Sequence, residues 1–283
     1  MMSVIKRIVD FVLAVMVSLV STPATDGGYV PSQAALDAPL SAHFIDVGQA
    51  DSTLVRLPGG KTMLIDAGDN KTGIKAVAYL NNLGIERIDY LVATHPHADH
   101  IGGMADVIND FDICRVYMPD VTTNTKTFES MLDAIEKKNI PVTKATAGVN
   151  IFTENGISAD IIAPNSPTYK EMNNYSAVVR LVYGNTAYLF MGDAETLSED
   201  EITADVRADV LKVGHHGSDT SSGENFILRV SPRVAVISVG EGNSYGHPKD
   251  EVIDRLRGSS ATVFRTDKDG TVVIGSDGKN IIY

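Results

Sequence analysis

The sequence predicts an α/β fold in which two mixed sheets face each other with helices outside, and three observations lead there. Apolar strand-like runs recur through residues 42–283, several of them continuous, as strands covered on both faces require. Helical periodicity alternates with these runs instead of being segregated from them. No low-complexity linker interrupts residues 42–283, so the stretch reads as one domain of two similar halves, each opening with a β-meander and continuing as β/α units.

The elements follow in order. "AHFIDV", "STLVRL" and "TMLIDAG" succeed one another closely, punctuated by Gly48, Pro58 and Gly59-Gly60, and form the first meander. "GIKAVAYLNNLG" has helical period and ends at Gly84; "IDYLVAT" is a buried strand, "GGMADVINDF" a helix and "CRVYM" a strand. "TKTFESMLDAIEKKN" is the clearest amphipathic helix, and Pro141 stops it. The second strand-rich run is "ISADIIA", "SAVVRLVY" and "TAYLFMG", the last two joined by Gly184-Asn185 as a two-residue hairpin. After it "ADVLKVG", "RVAVISVG", "TVFRT" and "TVVIG" alternate with helical stretches near 222–230 and 248–257.

Composition bounds the function. A chain of 283 residues with 43% apolar and 21% charged residues buries a sizeable core. At the N-terminus, Lys6 and Arg7 precede an apolar stretch from Phe11 to Val20, and Ser21, Thr22 and Ala24 follow. This is the layout of a signal peptide over residues 1–24, too short in its apolar part to span a bilayer comfortably; the alternative is an uncleaved N-terminal anchor. Residues 25–41 read as a flexible tether. The expectation is a secreted protein without stable membrane insertion after cleavage. Loss of Lys6, Arg7 and Asp10 moves the formal charge from −12 to −13, which argues against a broad basic surface for polyanions. The single cysteine, Cys114, excludes an internal disulfide and, in its apolar flank, reads as a buried, inert thiol. No protein partner is indicated.

Against this background "LVATHPHADHIGG", residues 91–103, stands out, because it places three of the seven histidines and an aspartate within six positions. A strand delivers His95 and His97 into a loop, where spacing of two in extended backbone aims both imidazoles the same way. Asp99 and His100 stand at the start of the next helix. Such a set suits a borderline divalent ion such as Zn²⁺ or Mn²⁺. Further candidates fall at other strand ends: Asp193 after "TAYLFMG", His215-His216 after "ADVLKVG", and His247 after "RVAVISVG". Six of the seven histidines therefore belong to one rim of the sandwich.

His-x-His-x-Asp-His after a strand, with Asp66 ending "TMLIDAG", resembles the metallo-β-lactamase superfamily, which implies a four-layer αββα sandwich over residues 42–283. More narrowly, "FIDVGQADSTLV", "THPHADHIGG", "NNYSAVVRL", "MGDAE", "LKVGHHGSDTSS", "YGHPKDEVI" and "RTDKDGTV" resemble, in that order, the hydrolase domain of the ComEC-type DNA-uptake proteins. The expectation is a stand-alone, secreted form of that domain. The catalytic domain of the pneumococcal phosphorylcholine esterase of teichoic acid is also similar.

The resemblance implies two divalent metal ions and a site-by-site reading. The first ion would be held by His95, His97, a bridging Asp193 and an amide oxygen or water. Where the superfamily supplies a third histidine, this chain has Asn173 and Asn174. The second would use Asp99, His100, Asp193 and one more histidine, and strand order favours His247, leaving His215 and His216 to face substrate. The chemistry implied is phosphodiester hydrolysis, on DNA or related diesters, with Asp99 orienting the water and His215 or His216 as proton donor. Asn173, Asn174, Lys212 and Ser218 are the expected substrate contacts, with Lys249 and Arg265 as further cations. The serine-rich "GSDTSSG" reads equally as an anion cradle or as a loop that caps a helix from Ser222. Asp46, Gln49 and Asp51 either shape the rim or satisfy turn backbone. The competing functions are a secreted nuclease or phosphodiesterase, a cell-wall phosphoesterase and a non-catalytic metal-binding module; a β-lactamase fits less well.

Overall fold

Strand alternation builds the molecule, a computed structural model that describes residues 29–283, whose compact unit runs from Pro31 to Tyr283. The expected signal segment, its anchor alternative and the start of the expected tether lie outside the described residues. The rest of that tether is ordered. Helix α1 (Gln33–Leu36), with Ser32 Oγ accepting from the Ala35 amide, buries Ala35 completely and packs on a C-terminal strand.

The first half contains β1 (Leu40–Phe44), β2 (Thr53–Arg56), β3 (Thr62–Ile65), α2 (Gly73–Asn82), β4 (Arg87–Ile88), β5 (Tyr90–Val92), α3 (Ala98–Ile101), α4 (Met104–Asp110), β6 (Asp112–Ile113), β7 (Val116–Met118), α5 (Lys126–Lys137) and β8 (Val142–Lys144). The second contains β9 (Val149–Glu154), β10 (Ile157–Ala163), β11 (Val178–Tyr183), β12 (Thr186–Phe190), α6 (Thr196–Glu201), β13 (Val210–Lys212), α7 (Glu224–Val230), β14 (Val234–Ile237), α8 (Asp250–Gly258), β15 (Thr262–Arg265), α9 (Thr266–Asp269), β16 (Val272–Ser276) and β17 (Ile281–Ile282).

One sheet has eight strands in the order β17-β16-β1-β2-β3-β5-β7-β8 and the other seven, β15-β14-β13-β12-β11-β10-β9; β4 and β6 pair separately. Each sheet is antiparallel where the meander lies and parallel where helices cross over. The halves are not independent. β16 crosses back to pair antiparallel with β1, Ala42 opposite Ile274, so the chain's end closes its first sheet.

The period of two sorts side chains into layers. Leu54, Leu64 and Leu91 join the cluster under the outer helices of the first sheet, while their neighbours Val55, Met63 and Val92 point the other way into the sandwich. Leu189, Leu211 and Ala235 do the same on the second sheet, with Tyr188, Phe190, Val210 and Val234 facing inward. Across the interior, the Phe44 and Phe190 rings lie 6.1 Å apart and Tyr188 donates to the Ile274 carbonyl. Helices lie outside both sheets, and the four-layer αββα sandwich is the observed fold. Among the described residues no helix is long and apolar enough to cross a membrane.

Several local expectations need correction. α5 ends before Pro141 can act: Lys138 caps it and Asn139, at φ 52°, turns the chain out. The edge strands β8 and β9 escaped the sequence reading because their exposure dilutes the apolar pattern. Cys114 is half-buried where full burial was expected, with Sγ 3.9 Å from Asp89 Oδ1, and burial pushes its thiol up.

Candidate metal centre

β5 ends at Val92, and three residues of extended chain carry His95 to the rim, with His97 preceding α3 and Asp99 and His100 inside it. The two glycines of "HIGG" position that helix. A Cβ on Gly102 would lie 2.2 Å from the Asn70 nitrogen, and one on Gly103 2.2 Å from the Ala67 carbonyl oxygen, so α3 sits against the loop after β3 only because both are glycine. That loop carries Asp66, at φ 58°. The Asp66 carboxylate accepts from the Thr94 amide at 2.9 Å, the Thr94 hydroxyl at 2.7 Å and His100 Nδ1 at 2.7 Å. His100 Nε2 is thereby turned toward the rim.

His216 is aimed the same way from the second half. Its Nδ1 donates to the Ser238 carbonyl at 2.9 Å, leaving Nε2 3.3 Å from Asp99 Oδ2 and 3.7 Å from Asp193 Oδ2. His215 and His216 both have left-handed backbone, φ 48° and 52°, a sparsely populated conformation for such residues. The turn is locked by Gly217, where a Cβ would come 2.5 Å from Pro248 Cβ. Asp193, just after β12, donates its backbone amide to the Ser176 hydroxyl oxygen.

The result is a convergence of ligand atoms. One atom each from Asp99, His100, Asp193 and His216 lie within 4.8 Å of one another. His100 Nε2, His216 Nε2 and Asp193 Oδ1 are buried and make no hydrogen bond, although His100 Nε2 and Asp193 Oδ1 are 3.2 Å apart. Ligand atoms aimed at a shared point and at no protein partner are what a dication requires, and their second ring nitrogens are anchored by outer partners as metal-binding imidazoles usually are. The residues present therefore fit a divalent metal ion.

Asp193 faces both ways: Oδ1 toward His100, Oδ2 toward His95 at 4.0 Å, His216 at 3.7 Å and His215 at 3.8 Å. His95 Nε2 lies 3.0 Å from His97 Nδ1, so the expected first-site pair is together beside Asp193.

Electrostatics agree with this reading. Burial disfavours charge on His100 and His216, yet Asp193 with Asp66 and Asp99, and Asp193 with Asp51, outweigh it, holding His100 well above the usual range and pushing His216 up to about 10. Burial would raise the Asp193 carboxyl, but His100, His216 and His95 hold it well below its ordinary range. The field that draws protons here is the field a cation would feel.

Other expected residues fall elsewhere. His216, not His247, completes the four-ligand group; the His247 ring stands 5.6 Å from that of His215, outside it. Strand order misled because the turn at 215–217 folds His216 inward. His215 faces out, 21% exposed, with Nδ1 3.0 Å from the Thr220 hydroxyl and 3.6 Å from Glu195 Oε1. Lys212 is turned inward and not presented at the rim: it is 2% exposed and its ammonium is 2.8 Å from Asp51 Oδ2 and from the Val213 carbonyl. Arg265 is spent on Asp267 through Nε and Nη2. Asn174 is buried, its amide nitrogen donating to Glu195 Oε2 and its oxygen accepting from the Glu195 and Ser198 amides. Asn173 stays at the rim, 3.4 Å from the His215 ring. Ser218 is buried, its Oγ accepting from the Thr220 amide. The helix after the serine run is capped by Glu199, which accepts from the Ser222 and Gly223 amides. Asp46 and Gln49 satisfy turn backbone at Gly48 and Gly240, whereas Asp51 supports His216 from 3.4 Å.

Glu195 and Ser176 lie within "MGDAE" and "NNYSAVVRL", where residue type and spacing alone assign neither of them a role. Ser176 Oγ lies 3.4 Å from His95 Nδ1.

This fold, with histidines and carboxylates meeting at its strand ends, defines a metal-dependent hydrolase of the αββα class. Residues 45–241 match the sequence profile of the metallo-beta-lactamase superfamily, and the chain belongs to that superfamily. Its homologues include ComEC-like competence proteins. ComE operon protein 3 of Bacillus subtilis (strain 168) is 31% identical over 249 residues, covering 81% of this chain and 32% of the relative. Competence protein ComA of Neisseria gonorrhoeae is 31% identical over 237 residues, covering 81% and 31%. The chain thus spans about a third of the length of these relatives. A solved diphosphatase from the PhnP family shares the fold, with TM-score 0.50, 16% identity, and coverage of 83% of this chain and 98% of that one.

Proposed function

We propose that the chain is a phosphodiesterase with nuclease-like activity, acting on DNA or related phosphodiesters. The observation that carries it is the convergence of the unbonded His100 Nε2, His216 Nε2 and Asp193 Oδ1 with Asp99, beside an outward-facing His215. Asp99, His100, Asp193 and His216 would hold one ion and His95, His97 and Asp193 a second, either Zn²⁺ or Mn²⁺. Divalent ions so placed supply Lewis acidity toward a phosphoryl oxygen and a water that ionises near neutral pH.

The chain's own groups do the rest. Asp99, 35% exposed, is the least buried carboxylate of the group and orients the incoming water. His215 stands on the open side, steadied by Thr220 and Glu195, and delivers a proton to the departing oxygen. Asn173 borders the same opening.

Turnover of single-stranded DNA, double-stranded DNA, RNA, bis-p-nitrophenyl phosphate and p-nitrophenyl phosphorylcholine, each with Mn²⁺ and Zn²⁺, tests the reading. Cleavage of a nucleic acid supports it. Turnover of the phosphorylcholine ester alone establishes the second reading, a cell-wall phosphoesterase, which the internal pairing of Lys212 and Arg265 favours because it withdraws two of the three expected cations. No turnover at all leaves a metal-binding module.

The proposed setting is outside the cytoplasmic membrane, after cleavage near residue 24. N-terminal sequencing of exported protein beginning at Thr25 would support this, and recovery of Met1 would sink it.

A further inference from the structure

The loop over residues 240–249 carries an aromatic surface that the hydrolytic reading does not use. Its shape is fixed by Asn243, whose amide nitrogen donates to the Gly240 carbonyl at 3.0 Å and the His247 carbonyl at 2.7 Å while its oxygen accepts from the His247 amide. The Lys249 amide donates to the Gly217 carbonyl, tying the loop to the turn that bears His215 and His216. On this framework Tyr245 is 66% exposed, which is unusual for so large a ring. One face lies on the His247 ring, centroids 5.8 Å apart and planes 24° from parallel, and the other is open. His247 in turn meets His215 edge-on at 5.6 Å, and His215 Nε2 is 3.8 Å from Asp193 Oδ2. Two ring-to-ring steps therefore connect the open face to the ligand centre.

We propose that Tyr245, backed by His247, is a stacking platform for a nucleobase next to the scissile phosphate, so that the site selects single-stranded nucleic acid over other phosphodiesters. This inference rests on the phosphodiesterase reading. A rigid ring offered with one open face suits a base, since every base presents a π-face and a single strand leaves it accessible, whereas in a duplex both faces are covered. A quaternary ammonium is the other natural guest of an aromatic ring. The chemistry here disfavours it. The Lys249 ammonium is bonded to the Tyr245 carbonyl at 3.2 Å, placing a positive charge on the same loop, which repels a choline group and attracts a nucleic-acid phosphate.

The test compares wild type, Tyr245→Ala and Tyr245→Phe as metal-loaded proteins. The substrates are thymidine 5′-(p-nitrophenyl phosphate) and methyl p-nitrophenyl phosphate, which differ in the base. Fluorescence anisotropy measures binding of a labelled phosphorothioate dT8 and of an abasic strand of equal length. Tyr245→Ala should raise KM for the thymidine ester and Kd for dT8 about tenfold, with kcat retained and with the methyl ester and abasic strand unaffected. Tyr245→Phe, which keeps the ring, should behave as wild type. Equal loss on base-containing and base-free ligands, or no loss on either, would overturn the platform. So would a Tyr245→Ala defect confined to p-nitrophenyl phosphorylcholine. Wild-type inactivity toward every diester would instead overturn the phosphodiesterase reading, and the dT8 binding arm would still report on Tyr245 separately.

Discussion

Asp66 Oδ2 accepts a hydrogen bond from His100 Nδ1 at 2.7 Å, and both side chains are buried. The bond fixes which imidazole nitrogen carries the proton and so which one can bind metal. Asp66→Ala should lower metal affinity about 10- to 100-fold while His100 remains in place. Titration with Mn²⁺ or Zn²⁺ followed by elemental analysis checks this, and unchanged affinity would remove Asp66 from the site.

His216 and His247 separate cleanly by metal content. His216→Ala should empty the four-ligand group, since it removes one of only four converging atoms, whereas His247→Ala should leave metal stoichiometry intact. The opposite pattern would restore the assignment expected from strand order. Because the first-site pair lacks the third histidine found elsewhere in the superfamily, chelator dialysis should also strip one ion before the other. Loss of both together would count against two unequal sites.

Lys212 and Asp51 form a buried ion pair, 2% and 5% exposed. Lys212→Ala removes the ammonium partner of a buried carboxylate, leaving it only His216 at 3.4 Å, and should cost about 3–5 kcal/mol of stability, seen as a lower denaturation midpoint. An effect on nucleic-acid affinity without loss of stability would return Lys212 to the substrate surface.

With Lys212 and Arg265 paired internally, few cations remain to displace counterions. If DNA is the substrate, the log–log dependence of its affinity on salt should have a slope of about −1. A slope steeper than about −3 would require phosphate contacts from cations beyond this rim.

His43, the one histidine away from the rim, is buried between the Ser41 and Tyr79 hydroxyls, 2.9 Å from each. Burial, with Arg56 nearby, lowers its pKa from 6.5 to about 3. Between those values the unfolded chain binds a proton that the folded chain refuses, so stability falls as pH drops below 6.5, by about 2 kcal/mol at pH 5. Subtracting the pH profile of His43→Gln from that of wild type isolates this contribution from the rim histidines. Parallel profiles would show that His43 titrates normally.

Much of this molecule is legible locally. Buried strands announce themselves as apolar runs, and "HPHADH" after such a run announces a metal site, because the side-chain type and the backbone period together restrict what the segment can do. The αββα sandwich and the gathering of His95, His97, Asp99, His100 and Asp193 at one rim follow from these patterns. What the tertiary structure decided is pairing across the chain. Two left-handed residues in succession turn His216 inward and leave His247 at the edge, and nothing in "GHHG" states that reversal. Lys212 reads as an exposed cation until Asp51, far away in sequence, is folded against it. Asp66 reads as a strand end until the glycines of "HIGG" let α3 settle beside it. A ligand's identity depends on its own side chain, but its direction depends on partners that only the packed sandwich brings within hydrogen-bonding distance.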